Sequence, residues 1–159
     1  VSNKKNTSKK SFSGSASKKV SSRAKKRPSL IKQAIRILLH KPELVRTINI
    51  SNQFKFIDEK GIDVFRKIAR LVNEKDKVKL ATIIEHFPDP KLQEYLSKLA
   101  TEQNLIKDNE LASEFDDIIK RLDLLDQKKE LTNLISKAKK SNLNESDQSR
   151  LKELSRKIK

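Results

Sequence analysis

Between Pro28 and Leu44 apolar and polar positions recur with a helical period. At about 100° per residue, Leu30, Ile31, Ala34, Ile35, Ile37, Leu38 and Leu39 sweep a broad apolar arc. Lys32, Gln33, Arg36 and His40 share the narrow remainder, which predicts an inner helix of a bundle with one polar strip at the surface. Ser29 is placed to cap its first turn. Pro42 ends it, because the residue before a proline is driven out of helical geometry. Pro42 and Glu43 then suit the first positions of a short second helix running to Thr47. Asn49 to Glu59 has no period and reads as an irregular connection, with Phe54, Phe56 and Ile57 plugging the core. After a break at Gly61, a third helix runs from Asp63, its expected cap, to Asn73, with Val64, Phe65, Ile68, Ala69, Leu71 and Val72 facing inward. Val78 to His86 makes a fourth, stopped at Pro88-Asp89-Pro90. Leu92, Tyr95, Leu96 and Leu99, at i, i+3, i+4 and i+7, make a fifth.

The last third changes character. From Asn109 to Lys140 there is neither Gly nor Pro, which is long for a globular helix. Leu111, Phe115, Ile118, Ile119, Leu122 and Leu125 lie on one stripe. Leu124, Leu131, Leu134, Ile135 and Ala138 lie on roughly the opposite side, and the polar Gln127-Lys128-Lys129-Glu130 marks the switch. A helix whose apolar face changes sides serves two neighbours. Its first half packs on the bundle, and its second half meets a closing helix with a narrow stripe of Leu151, Leu154 and Ile158, capped by Asn144 or Ser146. The expected fold is therefore all-α, a helical bundle followed by a protruding C-terminal helical hairpin. Two helices with so little apolar surface make a thin core, which a partner surface would complete.

Charge divides the chain further. Its 159 residues carry 37 Lys+Arg against 21 Asp+Glu, a formal net charge of +16, and residues 1–27 supply +10 of it with no acid at all. With almost nothing to bury, residues 1–27 read as a disordered basic linker, residues 28–126 as the bundle and residues 127–159 as the hairpin. The linker suits weak, nonspecific contact with nucleic-acid phosphates, without base stacking, since Phe12 is its one aromatic. Absence of Cys excludes disulfides, thiol chemistry and Cys-ligated zinc. No run approaches the roughly 20 apolar residues of a membrane span, and the first residues lack a signal-peptide core, so a cytoplasmic location without membrane partners is expected.

No catalytic constellation emerges. His40 and His86 lack metal-ligand spacing, and His86 suits a helix C-terminus. Asp116 and Asp117 are adjacent and point to different helix faces, so they form no acid/base dyad. There is no glycine-rich phosphate loop and no nucleophile elbow. No cofactor, metal or enzymatic activity is expected of this chain. One reading from the residues alone is a small basic helical protein that holds nucleic acid through its Lys-rich tail.

Several collinear pieces point elsewhere. The helix Leu30–Leu39 ends in Lys41-Pro42-Glu43-Leu44, followed by Val64-Phe65-Arg66-Lys67-Ile68, Ile83-Ile84-Glu85-His86-Phe87 and Leu96-Ser97-Lys98-Leu99. Phe115-Asp116-Asp117-Ile118-Ile119 and Arg150-Leu151-Lys152-Glu153-Leu154 complete the order. Over residues 28–159 this resembles the C-terminal, helicase-binding domain of bacterial DNA primase of the DnaG type, departing from it at the longer, more polar Ser141 to Ser149. The resemblance implies a non-catalytic part of a replication enzyme whose zinc-binding and polymerase domains lie upstream, with residues 1–27 as a variable linker. Family members dock the hairpin on N-terminal domains of the hexameric replicative helicase. Leu131, Leu134, Ile135, Leu151, Leu154 and Ile158 are the expected helicase-binding residues, some as hairpin core and some as contact. Some members also bind the acidic, Phe-ending C-terminal tail of single-stranded DNA-binding protein in a basic-rimmed pocket on the bundle. The matching positions are Arg27, Leu30, Ile31, Lys32, Ile35 and Lys98.

Overall fold

Ser29 caps the first helix as its position requires, its Oγ accepting the Lys32 amide at 3.1 Å, and α1 (Leu30–His40) follows. The computed structural model describes residues 28–48, 53–102 and 106–159, and its elements among them are all helical. The expected basic linker 1–27, with Arg27, and residues 49–52 of the expected connection lie outside the described residues. α1 is the central element, with Ile31, Ala34, Ile37 and Leu38 fully buried and every other bundle helix packed around it.

Pro42 to Thr47 winds as a 3-10 turn rather than an α-helix. From it Arg46 reaches the end of α2 (Ile62–Glu74), its Nη2 donating to the carbonyls of Lys75 at 2.6 Å, Asp76 at 2.7 Å and Val72 at 3.3 Å. α2 has no basic residue in its own last turn, so Arg46 supplies the cation that free carbonyl ends favour. At its start, Gly61 rather than Asp63 occupies the cap, and Asp63 falls within the first turn. Gly61 has φ 97°, and a Cβ there would stand 3.2 Å from Ile31 Cγ2. Its lack of a side chain lets α2 approach α1.

The fourth helix is shorter than expected: α3 covers only Leu80–Glu85, with Val78 outside it and Lys79 extended at its cap. In α4 (Pro90–Thr101), Asp89 caps the first turn through the Lys91 amide at 3.0 Å, and Leu96, Leu99 and Ala100 are buried. Tyr95 departs from the expected inward row, being 43% exposed at its edge. Phe56, expected to plug the core, is exposed, whereas Phe54 and Ile57 are buried. Phe54 meets Phe65 edge-on, ring centroids 6.1 Å apart.

α5 runs from Leu111 to Lys140, about 45 Å at 1.5 Å per residue. Leu111, Phe115, Ile118, Ile119 and Leu122 join the bundle core, while Leu125, expected on the same stripe, is exposed. Beyond Gln127 no α5 residue is fully buried. Asn144, not Ser146, caps α6 (Glu145–Lys157), its Oδ1 accepting the Asp147 amide at 2.7 Å. α6 folds back along the second half of α5.

Candidate interaction surfaces

The place where α5 leaves the bundle is fixed by one carboxylate. Asp126, almost fully buried, accepts the Phe56 amide at 2.6 Å and the Ile57 amide at 2.9 Å on Oδ1. Arg66 of α2 holds the same loop from its other end by donating to the Phe54 carbonyl. Next to it the buried Gln127 donates to Asp123 at 2.6 Å. The change of sides expected at residues 127–130 thus begins with a polar lock that the period alone did not reveal.

Past this lock the hairpin is zipped by ion pairs. Arg150 meets Glu130 in a bidentate pair, Nε to Oε1 at 2.8 Å and Nη2 to Oε2 at 2.7 Å, and Nη1 donates to Glu153 at 2.9 Å. These bonds, first with Glu130 and then with Glu153, hold the Arg150 guanidinium above its ordinary pKa. Lys137 pairs with Asp147 closer to the turn. Leu154 is 0% exposed and lies outside the bundle core, so it centres the hairpin's own packing.

Of the six residues expected to bind helicase, Leu154 is therefore interior. Leu131, Leu134, Leu151 and Ile158 are half-buried, and Ile135 is 42% exposed. Leu124, outside that expected set, is 44% exposed. At 100° per residue, Leu124, Leu131 and Ile135 fall within about 40° of one another on α5. On α6, Leu151 and Ile158 sit on the side of Leu154 away from Arg150, by the same period. The Arg150–Glu130 pair thus closes one edge of the hairpin, and an apolar strip runs along the other.

A second surface lies on the bundle. Ile35, Val64, Leu92 and Tyr95 line a notch of about 390 Å³ whose cations are Lys32 and Lys60. Of the six positions expected to hold an acidic tail, only Lys32 and Ile35 line it. Ile31 is wholly buried in the core and could meet a ligand only by unpacking α1. Leu30 is half-buried, and Lys98 is exposed on α4, paired with Glu94 at 2.7 Å. Arg27 lies outside the described residues. Lys32 also reaches Glu102 at 3.1 Å. Lys60 and Tyr95 were missed; the signal for Tyr95 was its hydroxyl in an otherwise leucine row.

Among the described residues no group of His, Asp or Glu could hold a metal ion, and no helix is long and apolar enough to cross a membrane. A family model described as DNA primase DnaG DnaB-binding matches residues 31–154. DNA primase of Pasteurella multocida is 26% identical over 120 residues, 76% of this chain and 21% of that protein. DNA primase of Haemophilus influenzae is 24% identical over 113 residues, 71% of this chain and 19% of that protein. The chain thus spans about a fifth of the length of these curated relatives. The solved C-terminal domain of DnaG primase from Vibrio cholerae shares the fold, with TM-score 0.68 at 20% identity, covering 79% of this chain and 96% of that domain.

Proposed function

The chain belongs to the DNA primase DnaG DnaB-binding family, and on that premise we propose that it docks primase on the replicative hexameric helicase through its hairpin. The matched family is the DnaB-binding part of the enzyme, so primer synthesis is assigned to other domains of the primase. In this reading residues 28–126 form the supporting bundle and residues 127–159 the docking hairpin. The apolar strip carries the reading: it starts at the exposed Leu124, where α5 leaves the bundle, and continues through the half-buried Leu131 and the exposed Ile135 on the half that has left the core. Exposed apolar side chains in such a row are what a partner's surface covers. Leu154 serves as hairpin core, and Leu131, Ile135, Leu151 and Ile158 as contact. The test is co-elution of the full chain with the same cell's helicase by size exclusion at moderate salt. Wild type co-elutes; Leu131→Asp/Ile135→Asp does not, with its helix content retained. Equal co-elution of both would remove docking from this strip.

The notch supports a second contact, with the acidic, Phe-ending tail of single-stranded DNA-binding protein. Apolar walls with Lys32 and Lys60 at one site suit an aromatic ring beside a terminal carboxylate. Lys60→Glu weakens binding of a labelled tail peptide at least tenfold in this reading, while Lys98→Glu changes it less than twofold.

A further inference from the structure

The charge of the ordered helices is unevenly placed. Residues 28–126 hold seventeen Lys/Arg and seventeen Asp/Glu, whereas residues 127–159 hold ten Lys/Arg and four Asp/Glu. Three of those four acids are spent within the hairpin, Glu130 and Glu153 on Arg150 and Asp147 on Lys137. Lys152, Arg156 and Lys157 have no acidic partner among the described residues and share one open face of α6 with Ser149 and Glu153. Lys139 and Lys140 stand in the last turn of α5, where they serve its C-terminus.

We propose that this face of α6 binds the phosphate backbone of duplex nucleic acid without regard to sequence. Its lining contains no apolar side chain. A protein-docking site has an apolar centre, whereas phosphate contacts are made by Arg, Lys and Ser alone. No aromatic residue follows Phe115, so base stacking supplies nothing and affinity comes from phosphates. Duplex is favoured because it presents about one charge per 1.7 Å of axis. By the helical period Lys152 and Arg156 lie opposite Leu154, away from the strip of Leu151 and Ile158. A hairpin seated on a protein partner by its apolar strip keeps this face open.

The experiment is fluorescence anisotropy of the full chain with a labelled 20-base-pair DNA duplex at several salt concentrations. Lys152→Gln/Arg156→Gln/Lys157→Gln weakens binding and makes the salt slope shallower by about 2 to 3, at roughly 0.9 per phosphate contact. Lys67→Gln/Lys77→Gln/Lys91→Gln removes equal charge from exposed bundle positions and leaves affinity within about twofold. Residues 1–27 are present in every variant, so their contribution cancels. Ser149→Glu also weakens binding, with the helix content of the chain checked by circular dichroism because position 149 lies four residues from both Glu145 and Glu153. Equal losses from the two triple variants, or unchanged binding by Ser149→Glu, would overturn the proposal. So would a hairpin triple variant that keeps DNA binding and loses helicase co-elution, which would give this face to a protein.

Discussion

Replacing Asp126 with Ala removes the acceptor that joins the loop before α2 to the midpoint of α5. Two amides then lose their partner, and their surroundings differ. The Ile57 amide is buried, so leaving it unpaired costs about 1–3 kcal/mol. The Phe56 amide is only part-buried and can turn to water, which adds about 1 kcal/mol. The expected loss is about 2–4 kcal/mol, a fall in melting temperature of the order of 10 °C for a domain of this size. Asp126→Asn keeps Oδ1 and both bonds but loses their charge assistance, so about a third of that loss is expected. Thermal unfolding followed by circular dichroism ranks the three proteins. An Asp126→Ala variant melting within about 2 °C of wild type would show that Asp126 does not hold the loop to α5, as would an Asn variant as unstable as Ala.

Leu154→Ala empties the hairpin's centre and costs about 2–3 kcal/mol, the low end for a buried leucine because two helices can close around the gap. Hydrogen exchange should show lost protection in residues 130–157 with α1 unchanged; equal loss in α1 would mean that hairpin and bundle open together. Gly61→Ala forces a side chain into left-handed backbone and against Ile31, lowering stability by about 1–2 kcal/mol in denaturant melts. An unchanged midpoint would contradict the close approach of α2 to α1.

What was legible in the sequence is what a local rule can encode. The arc of α1, its Ser29 cap and the stop at Pro42 need only neighbouring residues, and each is where the pattern placed it. The turn of the long helix's sticky face was legible for the same reason. Asp126 was not, because its partners are amides 69 and 70 residues away in the chain. Phe56 illustrates a related failure. In a segment without a period, nothing decides which of three apolar side chains turns outward, and here the backbone amides of Phe56 and Ile57 are claimed by Asp126 instead. Tyr95 and Leu125 sit at the margins of helical stripes, where a shift of one position separates core from surface. For the candidate sites, sequence order located the hairpin and one wall of the notch. Lys60 lies on a different segment, and only folding brings it beside Lys32.

In the proposed docking the strip through Ile135 faces the helicase. A photo-crosslinking amino acid placed at Ile135, and separately at Arg70 on the exposed face of α2, tests it in the full chain mixed with the same cell's helicase. Docking through the strip gives a helicase crosslink from position 135 and none from position 70. Crosslinking from position 70 alone would contradict it and move the docking surface to the bundle.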